Sequence, residues 1–156
     1  TAVRQNGFAL QFAAQGCRAE HELVLAAVKR HGGALQFASE ELLAERDIVS
    51  AAVRQHGDAL QYAHDGLKAD RELVLEALSS WGCALQHASS ELRSDFGIAL
   101  AAVRQDGNAL QYTCLALRDN KELVMAAVSQ CHHAAQYAGE VLQGDDDIMN
   151  TVFEHM

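Results

Sequence analysis

Hydrophobic and polar positions follow one pattern along this chain, and the pattern returns every 25 residues. In its clearest form it reads AVRQHGDALQYA. Three close copies and three looser ones span nearly the whole chain, at 2–13, 52–63 and 102–113 and at 27–38, 77–88 and 127–138. A fixed period of this size is typical of solenoid proteins, in which each repeat buries its apolar surface against its neighbours. The pattern predicts an all-α fold, an α-solenoid of about six repeats whose handedness stays open.

Each repeat is predicted to be a hairpin of two short helices. Apolar residues between Leu73 and Leu78 recur at helical spacing and form one stripe on the first helix. The second helix is expected to begin directly after a glycine turn, where Asp58 or Asn108 can serve as its cap. We place the repeats in a single domain, 1–156, at about 2–26, 27–51, 52–76, 77–101, 102–126 and 127–151.

Polar and small residues mark where the first helix of each repeat begins and ends. An acidic or amide residue, a good N-cap when it is Asp or Asn, precedes that helix at Glu20, Glu45, Asp70, Asp95, Asn120 and Asp145. Glycine follows it at Gly7, Gly32, Gly57, Gly82 and Gly107, and His132 stands there in the sixth repeat. Glycine just after a helix often takes the left-handed conformation, so we expect a positive φ at these glycines.

A second period of 50 residues lies over the first. Odd-numbered repeats share the tripeptide VRQ, whereas even-numbered repeats carry Ile48, Ile98 and Ile148 in place of a leucine. The pair of repeats is therefore the expected unit of duplication. Common ancestry explains this alternation, and so would different surroundings for the two members of each pair.

Charge and composition exclude several classes of function. Twelve Lys and Arg against 21 Asp and Glu give a net charge of −9, which repels phosphate backbones and anionic membranes. We therefore expect no nucleic-acid partner, and membrane association only through other proteins. No apolar run approaches the ~20 residues that a membrane span needs. The four cysteines include no CxxC pair, and we expect them to be buried as small hydrophobic side chains.

The sequence contains no recognisable set of catalytic residues. Cys131, His132 and His133 are adjacent, but neighbouring residues on a helix point in different directions, and no second pair converges on them. No HExxH, GxGxxG or Ser–His–acid grouping stands out. We predict no catalytic residue, no cofactor and no metal. The alternative is a ligand-binding or metal-binding module, or an enzyme, that uses the His and Cys of the last repeats.

One amide recurs in all six repeats, usually between a leucine and an aromatic residue. Its positions are Gln11, Gln36, Gln61, Gln86, Gln111 and Gln136. Such an amide can satisfy backbone groups at the turn between helices and form a ladder along the stack. The alternative is a row of amides along a groove that holds an extended peptide, which would make the chain a peptide-binding regulatory array.

Three further sets of side chains are candidates for protein contacts. An arginine followed by a glutamine recurs every 50 residues: Arg4 with Gln5, Arg54 with Gln55, and Arg104 with Gln105. These arginines complement a helix dipole or anchor a partner's carboxylates. Trp81, the only tryptophan, is a candidate hot spot. A ridge off the main apolar stripe is formed by Leu25, Leu75, Leu100 and Met125.

The repeat resembles a known family. The phrases LVLAAVKRHGGALQFASEELLAERDIV (23–49) and ELVLEALSSWGCALQHASSELRSD (72–95) are similar to a tandem domain of unknown function that is abundant in dinoflagellates and other protists. The resemblance covers residues 2–152, with departures at His87 and His132. It implies an all-helical repeat and supplies no catalytic residue. The distribution of the family suggests an organellar assembly, such as a photosynthetic complex in a plastid.

The sequence as a whole favours a non-catalytic scaffold or linker subunit that mediates protein–protein contacts. The chain begins at Thr1 and ends in the same phase of the repeat. We therefore expect a processed chain or a slice of a longer array, whose two open ends are covered by other protein subunits because solenoids need capped ends.

Overall fold

The structure, a computed structural model, describes residues 6–154. Almost all of this part of the chain is helical and none of it is a strand, which confirms the predicted all-α repeat fold. Long α-helices of nine or ten residues span His21–Arg30, Arg46–Gln55, Arg71–Ser80, Phe96–Gln105, Lys121–Gln130 and Asp146–Glu154. Each six-residue 3-10 helix is followed, after two intervening residues, by a four-residue α-helix, which we call the short helix.

The prediction of a single second helix in each hairpin is wrong, because a 3-10 helix and a short α-helix stand in its place. The 3-10 helices span Gly7–Phe12, Gly32–Phe37, Gly57–Tyr62, Gly82–His87, Gly107–Tyr112 and His132–Tyr137. The short helices span Gln15–Arg18, Glu40–Leu43, Asp65–Lys68, Ser90–Arg93, Leu115–Arg118 and Glu140–Gln143. Two extended residues separate them, for example Ala63 with φ −65° and ψ 151° and His64 with φ −59° and ψ 146°, so the second helix is not continuous.

The chain divides into two compact units, one ending at Ser80 and the other beginning at Trp81. In the first unit the long helix Arg46–Gln55 packs against His21–Arg30 on one side and Arg71–Ser80 on the other. In the second unit Lys121–Gln130 packs in the same way between Phe96–Gln105 and Asp146–Glu154. In both units the 3-10 helices form a second layer against the long helices, as expected of a solenoid-like repeat. The prediction of one domain stays a prediction.

The core lies between these two layers and is made of the predicted apolar positions. The long helices contribute fully buried alanines at Ala27, Ala52, Ala77, Ala102 and Ala127. The 3-10 helices add a fully buried leucine at Leu10, Leu35, Leu60, Leu85 and Leu110. Each such leucine stabilises the fold by about 1.5–3 kcal/mol relative to an exposed one. Small and large side chains therefore alternate across the two layers.

The repeat glycines do not take the predicted conformation, because no described residue has a positive φ. The long helix already ends at an extended residue such as His56, with φ −156° and ψ 106°, and glycine is the first residue of the 3-10 helix. Glycine is needed there for space. A β-carbon on Gly82 would lie 2.6 Å from the carbonyl oxygen of Ala102 in the next repeat, and Gly7, Gly32 and Gly107 are at least as crowded.

Helix caps follow the prediction only in part. Asp70, Asp95, Asn120 and Asp145 accept the N–H three residues on, as expected of N-caps. The side chains of Glu20 and Glu45 make no such bond. Asp58 and Asn108 do not cap the 3-10 helices, because those helices begin one residue earlier, at the glycine. The caps there are His56 and Asp106, which accept the N–H groups of residues 58 and 108.

Candidate functional site

The repeated glutamines hold the 3-10 helices together from within. In Gln36, Gln61 and Gln111 the Nε2 group donates to the carbonyl oxygen three residues earlier, at 3.0, 3.2 and 3.1 Å. These amides therefore bond inside their own repeat and form no ladder between repeats. Gln86 is half-buried, while Gln11 and Gln136 are exposed.

An open cleft with a volume of about 380 Å³ lies over the 3-10 helices of the first unit. Its walls include Phe8, Arg30, His31, Gln36, Gln61 and Tyr62. The rings of Phe8 and His31 contact each other with centroids 5.1 Å apart and their planes tilted by 42°. His31 Nδ1 accepts the Gly7 N–H at 3.2 Å, so a neutral His31 carries its proton on Nε2 and can donate it to a ligand. The volume falls in the range of ligand pockets, about 300–1,000 Å³.

Gly33 lies in the wall of the cleft and leaves it open at a position where each of the other repeats carries a side chain. The equivalent positions in the other repeats carry Phe8, Asp58, Cys83, Asn108 and His133. A β-carbon on Gly33 would meet only the Phe8 ring, at 3.6 Å, which is an ordinary van der Waals contact. Packing therefore places no demand for glycine at this position, unlike at the adjacent Gly32.

A second surface lies along the short helices of the second unit. A groove there is lined by Leu115, Arg118, Tyr137, Gly139, Val141 and Gln143. Leu115 is 75% exposed and Val141 85%. The equivalent groove of the first unit has Gln15 and Glu41 at these two places. Sequence reasoning missed this pair, although polar or small residues at the same place in the other repeats were a usable signal.

Ion pairs join the N-terminal ends of neighbouring long helices within each unit. Arg46 bonds Asp70 at 2.9 Å and Glu72 at 3.1 Å. Lys121 bonds Asp145 at 2.9 Å and Asp147 at 2.6 Å in the same geometry. The first residue of one helix thus bridges the N-cap and second residue of the next.

These contacts shift the pKa values of the groups involved. The Leu73 N–H and then Arg46 hold the pKa of Asp70 below its ordinary value, and Lys121 lowers the pKa of Asp145. In turn, Asp70 raises the pKa of Arg46. Because the pairs are largely exposed, each contributes little to the free energy of unfolding.

At the first residue of the first long helix, a histidine takes the place of Arg46 and Lys121. His21 Nε2 lies 2.9 Å from Asp47 and 3.4 Å from Glu45, and one ligand atom from each of the three groups falls within 4.8 Å of the others. Such a set could hold a metal ion. However, His21 and the two acids stand where Arg46, Asp70 and Glu72 stand one repeat later. We therefore assign the cluster to the ion-pair series, which sequence reasoning also missed.

The predicted contact residues lie in several separate places. Arg4 and Gln5 are outside the described residues. Exposed positions at the ends of long helices hold Arg54, Gln55, Arg104 and Gln105. Arg54 donates to Glu76 at 3.1 Å, whose other oxygen accepts the buried Ser50 hydroxyl at 2.5 Å. This arginine is therefore already engaged by its own unit.

Trp81 and the predicted ridge are only partly exposed. Trp81 is half-buried and precedes the 3-10 helix Gly82–His87. Within the ridge, Leu75 is 37% exposed, and Leu25, Leu100 and Met125 are half-buried. Leu25 and Leu75 belong to the first unit, and Trp81, Leu100 and Met125 to the second.

The cysteines and histidines of the last repeats do not converge either. Among the described residues the His21 cluster is the one convergent group of three potential ligands, and it includes none of Cys131, His132 and His133. The rings of His132 and His133 contact each other, with centroids 4.1 Å apart. Cys131 instead lies beside Asn108, whose Nδ2 is 3.7 Å from its sulfur.

One cysteine is buried, and three are not, against expectation. Cys83 is buried and donates to Asp106 at 3.1 Å, whereas Cys17, Cys114 and Cys131 are half-buried because they lie at element ends or on short helices. Burial and the Asp106 carboxylate raise the pKa of Cys83 to about 12. Its thiol therefore stays protonated at neutral pH, and only the thiolate is a good nucleophile.

The chain belongs to a family described as Domain of unknown function (DUF4116). The family model matches twice in tandem, at residues 21–68 and 70–118, which together make up more than half of the chain. Each match spans about two 25-residue repeats, in agreement with the 50-residue period. No curated protein and no solved structure matches the chain. Within the described residues, no helix is both long and apolar enough to cross a membrane.

Proposed function

We propose that this chain is a non-catalytic scaffold or linker subunit, and that it docks on another protein through the groove at Leu115 and Val141. The observation that carries the proposal is the exposure of these two side chains, 75% and 85%, in one groove. Apolar side chains grouped on a surface and rimmed by polar residues mark protein contacts. The rim here is polar, with Arg118, Glu140 and Gln143.

The fold of the second unit does not need these apolar side chains. Burial of a leucine or valine stabilises a protein only when the side chain leaves water, and both stay in water here. The same groove is built in the first unit with Gln15 and Glu41. Leu115 and Val141 therefore add little to the stability of their own unit, and a partner that covers them best explains why they are apolar.

The test exchanges the pair for the residues of the first unit. Leu115→Gln combined with Val141→Glu should leave the helical circular dichroism unchanged, because both sites are exposed. Native purification with quantitative cross-linking should recover a protein partner with the wild-type chain and lose it with the double variant. Phe12→Gln, which removes a side chain 84% exposed in the first unit, is the control and should keep the partner. Equal recovery with all three chains would overturn the proposal.

We also propose that the assembly is organellar, for instance a photosynthetic complex. Only the resemblance to sequences abundant in dinoflagellates and other protists supports this placement. Fractionation of organelles from the source cells, followed by detection of the chain in isolated complexes, would test it. Detection of the chain only outside organelles would contradict it.

A further inference from the structure

We propose that the cleft around Gly33 is a peptide-binding site, and that it takes an extended segment in which an acidic side chain lies next to an apolar one. The inference goes beyond the docking groove at Leu115 and Val141. The two sites lie in different units and share no residue. Either proposal can therefore fail without the other.

Two amides that line the cleft can offer acceptors to a peptide backbone. Gln36 Nε2 donates to Gly33 O at 3.0 Å, and Gln61 Nε2 donates to Asp58 O at 3.2 Å and to the Asp58 carboxylate at 2.7 Å. With Nε2 held in this way, the Oε1 atoms remain as acceptors for peptide N–H groups. The two glutamines are one repeat apart. Packed helices lie ~8–10 Å apart, which corresponds to about three residues of an extended chain.

Two side chains in the cleft, Arg30 and His31, can donate hydrogen bonds to an acidic side chain of the ligand. Arg30 is exposed and makes no ion pair with another described residue. His31 adds a second donor through Nε2. The one carboxylate on the wall, Asp58, accepts a bond from Gln61. A carboxylate of the ligand therefore meets a guanidinium and an imidazole N–H, a pairing that gives strong, charge-assisted hydrogen bonds.

An apolar subsite lies beside these donors. Phe8 is 39% exposed, contacts the His31 ring, and lies 3.6 Å from the place where a β-carbon on Gly33 would be. Tyr62 contributes a second ring to the wall. An aliphatic or aromatic side chain seated over Gly33 would cover the exposed face of Phe8. An apolar residue next to an acidic one is therefore the expected recognition motif.

Gly33→Asn is the decisive variant, because it fills the cleft with a side chain that this chain already uses at the equivalent position. Asn108 is the equivalent of Gly33 three repeats later. Its side chain donates to Asp106 at 3.1 Å and lies near Cys131. These two residues correspond to His31 and His56, which line the cleft. The same side chain at residue 33 would point into the ligand space. Because Gly33 has no positive φ and no crowded neighbour, the thermal melting of the variant should match that of the wild type.

The experiment selects random heptapeptides displayed on phage against the wild-type chain, with Gly33→Asn as the counter-selection. An enriched peptide, synthesised with a fluorescein label, is then titrated by anisotropy. We expect Asp or Glu next to an apolar residue, at least tenfold weaker binding to Gly33→Asn, and about two- to fivefold weaker binding to Arg30→Gln. Gly16→Asn is the matched control, since nothing lies within 4 Å of a β-carbon there, and it should bind as the wild type does.

Three results would overturn the inference. They are no enrichment over the counter-selection, enrichment of basic peptides, or equal affinity of the enriched peptide for the wild type and a folded Gly33→Asn. Gln36→Leu provides a second variant, which removes one amide acceptor and keeps the side-chain volume. If Gly33→Asn does not fold, unchanged peptide binding by Gln36→Leu and Arg30→Gln together would reject the site.

Discussion

Gly32 lies against the carbonyl oxygen of Ala52 in the next repeat, and a β-carbon on Gly32 would overlap that oxygen. The two residues are in different repeats of the first unit, so the glycine sets how closely those repeats approach. Gly7 with Ala27, and Gly107 with Ala127, form the same contact. The position is thus explained by space between repeats and not by backbone conformation.

Gly32→Ala should destabilise the protein by about 1–3 kcal/mol, because the added methyl group forces the repeats apart. Gly33→Ala is the neighbouring control and should not lower the free energy of unfolding, because its methyl group meets only an ordinary contact and no positive φ is required. Urea denaturation followed by circular dichroism measures both. Similar losses for the two variants would contradict the role assigned to the Ala52 carbonyl.

Gly16→Ala should stabilise the protein. Gly16 lies in the short helix Gln15–Arg18, where a β-carbon meets nothing within 4 Å and no positive φ is required. Alanine restricts the unfolded chain and is the better helix former, so a gain of about 0.4–1 kcal/mol is expected. A lower urea midpoint for this variant would show that the short helix differs from the structure described.

Cys83 should resist alkylation in the folded protein. Burial and then Asp106 raise its thiol pKa to about 12, so at pH 8 almost no thiolate is present. Iodoacetamide labelling read by mass spectrometry should modify Cys17, Cys114 and Cys131 before Cys83.

Asp106→Asn refines the same experiment, because it removes the negative charge and keeps a side-chain oxygen to cap the 3-10 helix. The pKa of Cys83 should fall, and its labelling rate at pH 9 should rise. Desolvation is the larger cause of the shift, so the variant thiol should still react more slowly than the half-buried cysteines. A rate equal to theirs would show that the carboxylate dominates.

Asp70 should contribute to stability above its unfolded pKa. Its pKa is lowered in the folded protein by the Leu73 N–H and by Arg46, so its contribution is present above about pH 4. As the pH falls from the unfolded pKa through the folded pKa, this contribution is lost. The reason is that the carboxylate binds a proton at a higher pH in the unfolded chain than in the folded one.

Two substitutions at this position separate the cap from the charge. Asp70→Ala should cost about 1 kcal/mol at pH 7 through loss of the cap. Asp70→Asn keeps a capping oxygen, so it should cost less and should flatten the dependence of the urea midpoint on pH between 3 and about 5. An unchanged pH dependence in Asp70→Asn would remove Asp70 from this role.

Some features of the candidate sites were visible in the sequence and others were not. The six glutamines were found from their recurrence, but their bonds to carbonyl oxygens three residues earlier follow from the 3-10 conformation. The pattern ALQYA fits an α-helix and a 3-10 helix equally well over so few residues. Leu115 and Val141 depart from the polar or small residues at the same places in the other repeats, but only the shared groove shows that they form a pair.

The sequence by itself determined the 25-residue repeat, the helical class and the buried stripe, because these depend on side chains three or four positions apart on one helix. It also placed caps such as Asn120, whose partner lies three residues away. Only the folded structure shows why Gly32 must be glycine and why Gly33 need not be. Both answers depend on atoms contributed by other repeats, Ala52 and Phe8, whose distances no local pattern contains.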